Sequence, residues 1–154
     1  MGKEIVFLLK ALFFGLGAIV LIPKEQYKKY FIYGLLFGGI GDFLVVFVFT
    51  RLFHWIQYKN MGAFNFYKMI SFWTPIAWMF VFMYFLYALP ERKLYLYFYV
   101  AAFGLFGYAV GIVLENFGLY EYLGFYRYFA PVFITSWFAA AAWVYIRTEG
   151  MEIR

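Results

Sequence analysis

The chain has 154 residues, of which 67% are apolar and 29% aromatic, while 14% carry charge. Ordinary soluble domains are roughly 45–50% apolar and about 25% charged, so the composition excludes a soluble fold and calls for a membrane. The net charge of +5 reads as basic turns facing anionic lipid, and nucleic acid is not expected as a partner.

Cysteine is absent and His54 is the single histidine. That removes disulfides, thiolate chemistry, cysteine-based metal sites and a bis-histidine haem within one chain. No cofactor and no metal is expected. The N-terminal Met-Gly-Lys-Glu-Ile-Val has no hydroxyl residue at position 6, so myristoylation is not expected. The apolar run behind it ends at Ile22-Pro23-Lys24 without a small-residue cleavage site and reads as a retained span.

A helix needs about 20 largely apolar residues to cross the hydrocarbon core. Five segments approach this, at about 4–22, 31–50, 70–89, 94–115 and 130–146. Backbone groups find no partners in lipid, so the expected fold is all-α: a polytopic membrane bundle of five transmembrane helices in one domain, 1–154. An interfacial aromatic segment joins the second and third spans. With five spans the termini lie on opposite sides. Lys3, Arg51, Lys59, Lys68 and Arg127 fall on the N-terminal side, and Lys24, Lys28, Lys29, Arg92, Lys93, Arg147 and Arg154 on the C-terminal side. The second set sits in short turns and predicts a cytoplasmic C-terminus, hence a multi-pass cell-membrane protein with its N-terminus outside.

Small residues predict how the spans pair, because close backbone approach replaces the hydrophobic drive that lipid does not supply. Gly15, Gly17 and Ala18 in the first span and Gly34, Gly38 and Gly41 in the second lie at similar depth. They predict a tight antiparallel hairpin between these two spans. Gly104, Gly107 and Gly111 form a second face on the fourth span, and Ala139–Ala142 a smooth surface on the fifth.

Charge inside a span costs about 2.5–3.5 kcal/mol at mid-helix on insertion scales, so each instance asks for a reason. Asp42 is the only aspartate in the chain. Lys10 lies at matching depth, and the two are expected to pair across the hairpin. Glu115 ends the fourth span near Arg51, His54 and Arg127. The polar residues Thr50, Ser71, Thr74, Asn116, Thr135 and Ser136 all belong to the N-terminal-side halves of their spans. Pro75 is expected to free a carbonyl in the third span at that level. Tight packing at one end and polarity at the other predict a cavity opening toward the N-terminal side. The aromatic loops 51–69 and 116–129 lie where an interfacial belt is expected, or where they would roof that cavity. The candidate ligand-binding residues are Lys10, Asp42, Arg51, His54, Thr74, Glu115, Asn116 and Trp137.

The run Tyr30-Phe31, Gly41-Asp42, an aromatic loop, a Pro-containing third span, Arg92-Lys93, a late Glu115, Gly118-Leu119-Tyr120 with Tyr122, and a Trp137 span resembles a family of small five-span membrane proteins of Gram-positive spore-forming bacteria. That resemblance covers most of residues 27–146 and implies topology rather than activity.

The favoured reading is a membrane protein that binds a lipid or small hydrophobic molecule, or serves as an accessory subunit of a larger complex. A homodimer is a further expectation from the glycine faces. One alternative is a transporter or channel subunit working as an oligomer. Another is a membrane-embedded enzyme acting on lipid or isoprenoid chains through Asp42 and Glu115. At helical rise those two carboxylates differ in depth by about 13–15 Å, which favours binding over catalysis.

Overall fold

A computed structural model describes residues 2–154. It is mostly helical. The five helices are α1 (Ile5–Leu21), α2 (Lys24–Arg51), α3 (Trp73–Tyr87), α4 (Lys93–Asn116) and α5 (Tyr126–Glu149). Helices α2, α4 and α5 are long and apolar enough to cross a membrane. At 17 and 15 residues, α1 and α3 measure about 25 and 22 Å.

Prolines set two of the breaks. Pro23 holds an extended backbone between α1 and α2, and Pro90 precedes the extended Arg92 that opens α4. The end of α4 is a Schellman motif. Gly118 takes a φ of 72°, its N–H bonds to the Glu115 carbonyl at 2.9 Å, and the Leu119 N–H reaches back to Leu114 at 2.9 Å. Glycine adopts this left-handed conformation without strain, and it turns the chain sharply off the helix.

The two aromatic loops are not purely irregular. They contain four short strands: β1 (Ile56–Tyr58), β2 (Asn65–Phe66), β3 (Ile70–Ser71) and β4 (Tyr120–Tyr122). Strand β1 pairs antiparallel with β4, joining loops about 60 residues apart, and β2 pairs with β3 in a local hairpin. The expected all-α class is corrected to this extent. The third helix therefore opens at Trp73, not at residue 70, because Ile70 and Ser71 are spent on β3.

Proline placement also differs from expectation. Pro75 is the third residue of α3, in the first turn where backbone N–H groups have no helical partner, so it frees no carbonyl. Pro131 lies inside α5 instead, where its missing N–H orphans the Arg127 carbonyl. The Tyr108 hydroxyl donates to that carbonyl at 3.3 Å.

The predicted hairpin of the first two spans does not form. Helix α1 packs along α3, and α3 packs along α2. Gly15, Gly17, Gly34 and Gly38 all serve α3. A Cβ at Gly34 would stand 2.5 Å from the Met79 carbonyl oxygen, and one at Gly38 2.3 Å from that of Trp78. Gly15 and Gly17 face Phe80 and Tyr84 of the same helix. The α4 glycines receive α5 and the ribbon: Gly104 meets Thr135, Gly107 meets Ile134, and Gly111 meets the Tyr122 hydroxyl.

Two buried clusters result. One fills the C-terminal-side half with Phe82, Phe85, Phe138 and Ala141. The other joins the β1–β4 ribbon to the opposite helix ends through Phe7, Ile56, Ile70 and Leu119.

Gly38→Ala should push α2 off α3 and cost about 1–3 kcal/mol, as overpacking does. Gly17→Ala meets Tyr84 at an ordinary 3.7 Å and should stay within about 0.5 kcal/mol of wild type. Unfolding curves in mild detergent check both.

Candidate functional site

Helix α2 widens into a π-helical turn over Leu35–Ile40. Such turns interrupt the regular 3.6-residue repeat and occur often at functional sites. Upstream of it Gly34 faces α3; within it Gly38 does the same. Downstream, Gly41 faces the Trp137 ring of α5 and Asp42 faces a cavity. The widened turn thus divides α2 between two partners. Trp137 locks the arrangement by donating its indole N–H to the Phe37 carbonyl at 3.1 Å.

Below this point α2 and α5 are bridged by rings rather than by close backbone approach. Phe49 lies 4.8 Å from Phe133 and 5.0 Å from Tyr126, centroid to centroid. The space left between α2, α4 and α5 is a cavity of about 100 Å³. Strand alternation supplies its lid. In β1, Ile56 and Tyr58 point inward and Gln57 outward; in β4, Tyr120 and Tyr122 are buried. The register sets Ile56 opposite Tyr122 and Tyr58 opposite Tyr120, so all four inward residues line the cavity. On the outer face Lys59 pairs with Glu121 at 2.5 Å.

The lid phenols are neutral. Burial pushes Tyr58 and Tyr120 well above the ordinary value near 10, and the nearby Asp42 charge pushes in the same direction. They therefore offer ring faces and hydroxyls, not charge.

Asp42 is the charged group on the cavity wall. Its Oδ2 is buried without a hydrogen-bond partner. The buried Nζ of Lys10, on α1, is likewise unpartnered, as are the hydroxyls of Thr50, Ser71 and Thr74. The expected direct ion pair is absent. Among the described residues the ion pairs within 4.0 Å are Lys29–Glu149, Lys59–Glu121 and Arg127–Glu115. Lys10 and Asp42 still act on each other through their charges, while α1 and α2 each pack on α3. Lys10 rests instead over the Phe7 ring, 5.6 Å from its centroid, and Phe7 packs on Tyr58 at 5.9 Å. Thr74, fully buried, sits beside the Tyr58 hydroxyl.

The eight candidate residues thus divide. Asp42 and Trp137 line the cavity, and Lys10 and Thr74 belong to the buried polar layer beside it. Glu115 does not line it. Its carboxylate takes the Arg127 guanidinium and the Tyr122 N–H, clipping α4, β4 and α5 together. Arg51 is exposed and donates to the Tyr67 carbonyl at 3.2 Å. His54 is exposed in a left-handed turn, φ 53°, where the chain leaves α2 for β1. Asn116 is exposed at the end of α4. Tyr58, Tyr120, Tyr122 and Tyr126 were absent from the predicted set although all four line the cavity; the signal was the alternation Ile56/Tyr58 and Tyr120/Tyr122 inside the two aromatic loops. Among the described residues no group of three or more histidine or acidic side chains could hold a metal.

No family model, no curated protein and no solved structure matches this chain.

A double-mutant cycle tests the layer. Asp42→Asn and Lys10→Met each leave the other charge buried without compensation, which is costly. The double variant should lose about 1 kcal/mol less than the two single losses combined. Thermal unfolding in mild detergent measures this; strict additivity would show two independent charges.

Proposed function

We propose that all five helices cross the bilayer, with the N-terminus outside and the C-terminus in the cytoplasm. In this reading the protein holds a small hydrophobic molecule or the end of a lipid in the cavity under the β1–β4 ribbon, acting alone or as an accessory subunit. The spanning role of α1 is supported by its surface, which leaves Phe13, Leu16 and Val20 mostly exposed. A helix of this length falls a few ångströms short of a roughly 30 Å core, which local thinning and flanking residues accommodate at modest cost. The orientation rests on the basic turns at Lys24, Lys28, Lys29, Arg92 and Lys93.

The observation that carries binding is the cavity itself: aromatic walls, one carboxylate and a volume of about 100 Å³. By the measure in which one water needs about 10–15 Å³, that is room for several waters or one compact organic group, not for a whole lipid. Catalysis by paired carboxylates is disfavoured because Glu115 is committed to Arg127. Conduction is disfavoured because Phe82, Phe85 and Phe138 fill the C-terminal-side half, and a water-filled path needs polar lining.

Native mass spectrometry of the protein purified in mild detergent tests this reading. A stoichiometric adduct on the wild type, lost in Asp42→Asn, is the expected result. Bare protein in both would contradict retained-ligand binding and leave the accessory role.

A further inference from the structure

We infer that the group this cavity takes is a compact organic cation, a primary or quaternary ammonium, with Asp42 as its counter-ion and tyrosine and tryptophan rings as its walls. This rests on the binding reading above and names the ligand's chemistry.

Three features of the wall lead there. First, Asp42 is an acceptor-only group when ionised, and its Oδ2 is buried without a partner. An anion would be repelled by it. A neutral ligand would leave the carboxylate charge buried and uncompensated, a penalty that a cation avoids. Second, Tyr58, Tyr120, Tyr122, Tyr126 and Trp137 line the same space. Ring faces carry negative potential, and cages of tyrosine and tryptophan recognise ammonium groups through it, most strongly when water is excluded. Third, the wall lacks what a metal cation needs. Calcium and magnesium take six or more oxygens, whereas the cavity offers one carboxylate among rings, and no acidic or histidine cluster exists among the described residues.

Lys10 is the internal rival for Asp42. Its ammonium does not line the cavity and makes no ion pair within 4.0 Å among the described residues. It sits over the Phe7 ring, 5.6 Å from its centroid, and Phe7 packs on Tyr58. Lys10 therefore tempers the Asp42 charge without an ion pair, and Asp42 lines the cavity where Lys10 does not.

The test uses choline and its uncharged isostere 3,3-dimethyl-1-butanol. Thermal unfolding of the full chain is followed in nonionic detergent at matched ionic strength. A ligand that binds only the folded state raises the midpoint. Choline should stabilise wild type, the isostere should not, and Asp42→Asn should lose at least tenfold in apparent affinity. A lipid headgroup as the source would show differently: soluble choline gives no shift, while nanodiscs containing phosphatidylcholine, compared with phosphatidylglycerol alone, stabilise wild type and not Asp42→Asn. Either pattern supports the cation assignment. Equal stabilisation by choline and isostere, insensitive to Asp42, would overturn it and leave hydrophobic binding standing. No stabilisation by any of the three would overturn both. Should Asp42→Asn fail to fold, Lys10→Met decides: removing the rival charge should strengthen choline binding severalfold, and an unchanged affinity would overturn the assignment.

Discussion

A carboxylate held in an apolar bundle costs about 2.5–3.5 kcal/mol at the centre of a membrane helix unless something compensates it. Asp42 lies on α2, a helix long and apolar enough to cross a membrane, with one oxygen buried and unpartnered, and much of the surrounding structure is arranged about it. The π-turn of α2 rotates the residue away from α3 and into the cavity. Trp137 fixes the turn by accepting the role of donor to Phe37. The β1–β4 ribbon closes the cavity with buried phenols. Compensation comes from the charge of Lys10, and in the proposed reading a bound cation completes it.

The second organising element is α3. Its backbone carbonyls at Trp78 and Met79 receive the glycines of α2 directly, and its side chains Phe80 and Tyr84 receive those of α1. In lipid, such close approach is what draws helices together. Placing α3 between the first two helices also explains why Lys10 and Asp42 do not meet. The geometry that packs the bundle is the geometry that leaves the carboxylate free. On the opposite side, α4 and α5 close on each other through Gly104 and Gly107, and Gly111 makes room for the Tyr122 hydroxyl, so one glycine face serves both a helix pair and the lid.

The helices were legible in the sequence because long apolar runs between Pro23, Arg51, Pro90 and Arg127 have few other outcomes. Glycine faces were legible as packing surfaces, but not their partner: small residues state that something comes close, and sequence neighbours are only the cheapest guess. Pairing of β1 with β4 was beyond local pattern, since its register is set by loops far apart in the chain. Pro75 misled because a proline's effect depends on its distance from the helix start, and the third helix starts three residues beyond the hydropathy edge. Asp42 and Trp137, which line the cavity, were conspicuous in the sequence because charge and tryptophan stand out in an apolar span. The lid tyrosines were visible as aromatics, yet aromatic loops are common at membrane interfaces, so composition could not single them out. Arg51, His54 and Asn116 were attractive for polarity at the right level and lie outside the cavity because helix ends point such residues outward.

The cation reading stands or falls on Asp42 presenting its carboxylate to a ligand in the aromatic cavity. A structure of the protein in lipid nanodiscs, at a resolution that shows bound groups, tests it most directly. The expected result is an organic group in contact with the Asp42 carboxylate beneath Tyr58, Tyr120 and Tyr122, with Lys10 apart from it. A collapsed chamber with Lys10 and Asp42 in direct contact would contradict it.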